Sequence, residues 1–300
     1  MRMVWLAIAL MLTVAFSSLL LIYHYQAGYY GGTLRVTTTT SLYNTGLLEK
    51  LAEGFRQKYP RVSIQLIAVG SGEALRRAAQ GDADVVLSHA PNLEKKYLSD
   101  GTLKPGKIFA YNYFIILGPH DDPAGISGMD PVNAMAAIYK ACESGRALFV
   151  SRADNSGTNA RELILWSLAG VDPSGRPWYV EAGADMAQTL MVANEKKAYT
   201  LSDVGTYLKF RKRLDALEPL VEKGEVLINV YSIYTVNPEK VPGVNEKLAD
   251  AFTEFVLSED GQKIIESYGV EELGEPLFRA ANGDPAGELK SAWEAMARIG

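Results

Sequence analysis

The sequence predicts an α/β fold built as two lobes. Three observations carry that reading. Strand-like and helix-like segments alternate on both sides of position 150, the pattern of parallel strands joined by helices. Between Leu34 and Leu87 the succession is βαβαβ, which implies a parallel sheet with right-handed crossovers. A chain of 300 residues exceeds what one small core organises and suits two compact bodies.

Leu34-Arg35-Val36 opens the first strand, and a hydroxyl-rich stretch, Thr37 to Ser41, follows it. Leu47, Leu51, Phe55 and Tyr59 recur every four residues, which predicts a helix over Gly46 to Tyr59. Asn44 or Thr45 can cap its start, and Pro60 stands beyond its end. Val62, Ile64, Leu66 and Ala68 alternate as a strand that stops at Gly70-Ser71-Gly72. A helix over Glu73 to Gln80 closes at Gly81, and Val85-Val86-Leu87 is the third strand. Tyr111 to Leu117 reads as another strand, closed by Gly118-Pro119. Beyond it come a helix (Pro131 to Glu143), a strand (Ala147 to Val150) and the segment Ser151 to Thr158. That segment opens a helix with apolar positions Leu163, Ile164, Trp166 and Leu168. Leu227 to Val236 is strand-like, while Leu248 to Leu257 and Gly261 to Tyr268 are helical. No repeat or low-complexity tract interrupts the series.

The body is preceded by Val4 to Tyr23, twenty residues without a charge. As a helix this run spans roughly 30 Å, the hydrocarbon thickness of a bilayer. Ala15-Phe16-Ser17 has the residue sizes of a cleavage site, but cutting there leaves Leu19 to Ile22 on the mature protein. Arg2 is the only charge on this flank, so the positive-inside rule places the body outside. The run therefore reads as an export signal retained as an anchor.

Composition narrows the function by exclusion. With 48% hydrophobic and 22% charged residues the chain is globular. Its net charge of −5 lacks the basic excess that phosphate neutralisation on nucleic acid requires. One cysteine, Cys142, excludes an internal disulfide framework and reads as buried filler. Three histidines, His24, His89 and His120, are little material for a metal centre. His89 reads as a structural hydrogen-bonding residue and His120-Asp121-Asp122 as a hydrated loop. Ser202 or Thr206, within YTLSDVGTY, can reach a cleft, or the tyrosines of that stretch can be core.

Three loops stand at the C-terminal ends of strands and feed helices: Thr38 to Ser41, Gly70 to Gly72, and Ser156 to Thr158. Ligands of open parallel sheets gather at this end, and helix N-termini there favour anions. Hydroxyls add neutral donors, and Arg152 adds one fixed positive charge. Taken singly, each loop is also ordinary helix capping. Asp154 is read as the ion-pair partner that orients Arg152. No nucleophile elbow is present, since the serine of Gly70-Ser71-Gly72 sits in A-V-G-S-G-E.

The segments TTTTSLYNTGLLEKLAEGF, IAVGSGEAL, GDADVVLSHAP, YNYFIILGP, DPAGISG, FVSRADNSGTNARELILW, AYTLSDVGTYL and VNP resemble the tungstate-binding proteins of ABC importers. The likeness runs in order from Leu34 to Tyr268, and the SRxDxSGT element is its most specific piece. It implies a type II periplasmic-binding-protein-like fold with the ligand cleft between lobes. The lobes would be 31–115 with 236–300, and 116–235, after an anchor at 1–30. By matching positions it implies that Thr39, Thr40, Ser41, Ser71, Arg152, Ser156 and Thr158 contact an oxyanion. Ser71 stands where threonine is usual, Leu42 replaces a hydroxyl residue, Ala187 replaces a glycine, and Asn229-Val230-Tyr231-Ser232 replaces Asn-Pro-Tyr-Gly.

The expectation is an exported, extracytoplasmic solute-binding protein, anchored by residues 4–23. It would capture tungstate or molybdate and pass it to an ABC permease, with no catalysis, cofactor, nucleic acid or metal beyond that of the oxyanion. Phosphate-binding proteins share an R-x-D-x-S-G-T-like element and are the alternative. A phosphoester hydrolase is a further reading, but the chain lacks paired metal-ligand carboxylates and histidines.

Overall fold

The computed structural model describes residues 11–18, 31–283 and 287–299. Of the apolar run Val4 to Tyr23 only 11–18 are among them, helical and exposed; the rest of the expected anchor lies outside the described residues. Among the described residues no helix is long and apolar enough to cross a membrane.

The β-branched run of β1 (Gly32–Thr39) pairs in parallel with β2 (Val62–Val69) along its whole length, from Gly32 opposite Val62 to Thr39 opposite Val69. On its other side it pairs in parallel with β3 (Val85–Ser88), as the βαβαβ pattern predicts. Helices α1 (Thr40–Thr45) and α2 (Leu47–Lys58) connect β1 to β2. Here the expected single helix is corrected. The chain turns helical one turn earlier, because Thr39 caps α1 by accepting from the Leu42 N–H. Gly46, at φ +89°, then makes a left-handed joint that only glycine adopts readily. α3 (Ser71–Ala79) links β2 to β3, and α4 (Pro91–Ser99) follows.

β4 (Lys107–Pro119) is longer than the Tyr111 to Leu117 expected, and its two halves have different neighbours. Residues 107–113 pair with β9 (Ile228–Thr235), and 114–119 pair with β7 (Thr200–Asp203) and β8 (Leu217–Val221). Between them lie α5 (Pro131–Glu143), β5 (Phe149–Ser151), α6 (Gly157–Leu168), β6 (Tyr179–Glu181), α7 (Met186–Lys196) and α8 (Val204–Phe210). After β9 come α9 (Glu246–Leu257), α10 (Glu259–Ser267), α11 (Val270–Leu273), β10 (Arg279–Ala280) and α12 (Glu288–Arg298). The large sheet runs β10-β4-β9-β3-β1-β2, with β7 and β8 on β4. It is mixed, because β9 returns antiparallel to both β3 and β4.

Side chains collect into separate cores along this sheet. Leu34, Val36, Leu51, Phe55, Phe252 and Ile265 pack around β1, α2 and α9, with Phe55 edge-on to Phe252 at 5.3 Å. Phe114, Met135, Phe149, Trp166 and Trp178 form a second core, which Cys142 joins as the filler expected of it. Each such side chain contributes about 1.5–3 kcal/mol by leaving water. On α6 the apolar positions divide between surface and core. Leu163 and Leu168 are exposed, while Ile164, Leu165 and Trp166 face inward.

Candidate functional site

The hydroxyl run Thr37 to Ser41 is entirely shielded from solvent except at Thr40. Thr37 is used up in the fold, bonding the carbonyls of Ala74 and Val85. Thr39 Oγ1 lies 3.2 Å from Ser41 Oγ, which lies 3.3 Å from His89 Nε2. Thr40 faces the third loop, accepting from Arg152 Nη2 at 3.3 Å.

Ser71 begins α3, a residue after Gly70. A β-carbon on Gly70 would come 3.1 Å from the Asp154 carbonyl oxygen, so the glycine lets the second loop close on the third. The Gly72 N–H donates to the Asn155 carbonyl across the same junction. In the third loop Ala153 and Asn155 both have positive φ, +48° and +54°. Such backbone is costly for residues with a β-carbon and gathers at ligand clamps. Ser156 caps α6 by accepting from the Asn159 N–H, and Thr158 sits in the first turn, buried. Gly157 is fixed by a neighbour: any β-carbon there would stand 2.7 Å from the His89 ring.

Arg152 is 1% exposed. Its Nη2 pairs with Asp154 Oδ2 at 2.5 Å, the orienting ion pair expected. The other Asp154 oxygen accepts from the Ser156 N–H. Nε and Nη1 of Arg152 are buried with no partner, and so are the hydroxyls of Thr38, Ser71 and Thr158. Buried polar groups are normally paired; Ser88 and Thr253 also carry unpartnered hydroxyls, but only at the three loops do such groups gather around a cation, as a site for an acceptor would require. One such hydroxyl comes from each loop.

The seven residues singled out by the resemblance thus converge through contacts among loops, but they are not equivalent. Thr39, Ser41 and Ser156 have protein partners. Ser71, Thr158 and two nitrogens of Arg152 do not.

Several groups at this junction escaped the sequence reading. Arg161 is a second buried cation, so Arg152 is not the only one near the loops. It packs 5.1 Å over the Phe114 ring and donates to the Val226 carbonyl, and burial lowers its pKa to about 9. Its place three residues after Thr158, on the same helix face, was a usable signal. Asp203 is buried, its pKa raised by loss of water, and its oxygens accept from the N–H and hydroxyl of Thr206. Ser202 bonds the Asp203 carbonyl, so neither hydroxyl proposed for YTLSDVGTY is free. Tyr199 is core, its hydroxyl on Asp122.

His89 is fully buried, stacked 4.8 Å from Tyr231, with Nδ1 2.9 Å from Asn229 Oδ1. Burial, opposed by the Asn229 bond and reinforced by the charges of Arg152 and Arg161, lowers its pKa to about 3. His120, by contrast, lies exposed, bonded to the Asp215 carbonyl and near Glu218. Among the described residues no group of His, Cys, Asp and Glu could hold a metal ion.

The mixed sheet carries a donor-lined junction at its strand ends, and residues 27–260 match the model of the PBP superfamily domain. The tungstate-binding protein TupA of Peptoclostridium acidaminophilum is 39% identical over 247 residues, 82% of this chain and 85% of that one. Among solved structures, the tungstate-binding protein TupA of Desulfovibrio alaskensis G20 matches with 38% identity and a TM-score of 0.71, covering 83% of this chain and 99% of that one. The tungstate ABC transporter structure from Geobacter sulfurreducens matches at 43% identity and TM-score 0.69, over 79% and 98%. The chain belongs to the PBP superfamily and, within it, to the family of tungstate-binding proteins.

Proposed function

We propose that this chain captures a tetrahedral oxyanion, tungstate or molybdate, outside the cytoplasm and delivers it to an ABC permease without chemical change. The observation that carries the reading is the set of unpartnered buried donors at the three loops: Thr38, Ser71, Thr158 and two nitrogens of Arg152. A fully deprotonated oxyanion only accepts hydrogen bonds. Each charge-assisted bond it receives contributes roughly 1.5–3 kcal/mol, enough in sum to offset dehydration of the anion. Thr39, Thr40, Ser41 and Ser156 complete the cage as its hydrogen-bonded wall.

In this reading residues 31–115 with 236–300 form one lobe and 116–235 the other. The ligand draws them together, and the closed form is what the permease recognises. Residues 4–23 hold the protein at the membrane. Names of the relatives support tungstate over phosphate, and so does the site chemistry. Near neutral pH phosphate is partly protonated and needs an acceptor. Asp154 already accepts from Arg152 and the Ser156 N–H and Asp203 from Thr206, while the unpartnered groups at the junction are donors, a balance that favours an anion carrying no proton.

Calorimetry with tungstate, molybdate, sulfate and phosphate tests this. Tungstate and molybdate are expected to bind far more tightly than sulfate, whose smaller tetrahedron cannot meet every donor, and sulfate at least as tightly as phosphate. Phosphate as the tightest ligand would overturn the assignment.

A further inference from the structure

Behind the first loop a chain of buried side chains runs from an obligate acceptor to an obligate donor. The Leu277 carbonyl can only accept, so the Asn112 amide must direct Nδ2 at it, 3.3 Å away. Asn112 Oδ1 then accepts from Asn229 Nδ2 at 2.9 Å. The second Nδ2 hydrogen of Asn229 goes to Tyr231 Oη at 2.8 Å. Asn229 Oδ1 is left as an acceptor facing His89 Nδ1 at 2.9 Å, so Nδ1 carries the proton.

A neutral imidazole protonated at Nδ1 has only a lone pair at Nε2. Ser41 must therefore donate its hydroxyl proton to Nε2, and Thr39 must donate its own to Ser41 Oγ. Thr39 Oγ1 accepts from the Leu42 N–H, which can only donate. Reversing any member would set two acceptors or two donors face to face in a buried site, a loss of about 1–3 kcal/mol.

We infer that His89 is a positioning residue that holds this chain in one direction, so that the hydroxyl protons of Thr39 and Ser41 stay inside the protein and the anion draws on the unpartnered hydroxyls of Thr38, Ser71 and Thr158 instead. The inference rests on the oxyanion reading for its second half. The direction of the chain stands on the protein alone. It also accounts for Gly157, since the ring can sit against α6 only where no β-carbon intervenes.

Nitrogen-15 NMR of the full chain, labelled at its histidines, reads the direction. His89→Gln identifies the signal. The expected spectrum shows a protonated Nδ1 and an unprotonated, hydrogen-bonded Nε2. Ser41→Ala should move Nε2 toward the position of a free imine nitrogen and leave Nδ1 in place. Saturation with tungstate should leave the wild-type Nε2 signal where it was. A protonated Nε2 in the free protein overturns the chain. A tungstate-induced shift of Nε2 to the free position means that Ser41 turns to the anion, and overturns the division of donors. Absence of tungstate binding by calorimetry, with Nδ1 protonated, would reject the oxyanion reading and uphold the direction of the chain.

Discussion

Arg152 is a buried cation with one carboxylate partner and two nitrogens without a hydrogen-bond partner. A buried charge so incompletely paired is costly, and an anion removes that cost on binding. Arg152→Met fills the volume without the charge. Tungstate affinity is then expected to fall by about 2–4 kcal/mol, while thermal unfolding of the unliganded protein stays near wild type. Calorimetry and a melting curve on the same sample separate the two effects. Equal loss of both would show that the guanidinium serves the fold. The sequence identified Arg152 and Asp154 because a loop motif brings them within two residues. It could not identify His89, Asn112 and Asn229 as one system. His89 follows β3, Asn112 lies in the middle of β4 and Asn229 near the start of β9, and only the antiparallel return of β9 sets Asn229 beside both others.

Among the elements, α6 has a demanding environment, since Thr158, Arg161 and Glu162 are all buried along it. Glu162 is buried and accepts from the hydroxyls of Ser151 and Tyr179, at 2.7 and 2.6 Å, and from Trp166 Nε1 at 3.1 Å. It thereby ties α6 to β5 and β6. Burial raises its pKa from the usual 4.5 to about 7. The folded state therefore binds the proton more strongly than the unfolded state. Its stabilising effect is complete below about pH 4.5 and is lost as pH rises through about 7. Glu162→Gln removes that titration. Denaturant unfolding at pH 4.5 and pH 8 should show wild type losing on the order of 3 kcal/mol relative to the variant between the two. An unchanged difference would mean that the carboxyl is charged throughout. Helical periodicity located α6 but named only its apolar positions, without deciding which of them face inward. The surrounding strands select Ile164, Leu165 and Trp166.

For the molecule as a whole, the proposed anchor has a direct consequence. Val4 to Tyr23 should remain on the mature protein, and mass measurement of the membrane-associated chain should return the intact N-terminus. A mature chain beginning after Tyr23 would remove the anchor but leave export. At this scale the sequence determined much by itself. Apolar alternation gave β2 and four-residue apolar spacing gave α2, because both are local consequences of which side faces the core; β1, β3 and α5 were also located from their sequence segments. It also placed three donor loops at strand ends, since glycine and hydroxyl residues punctuate those ends visibly. Tertiary structure alone decided the rest. β4 extends past its apolar middle because β9, β7 and β8 supply partners for its flanks. Which hydroxyls remain unpartnered depends on contacts between residues far apart in the chain, such as Ser41 with His89 and His89 with Asn229. Hydrogen-bond supply and demand balance only when the strands are assembled, so no local pattern records them.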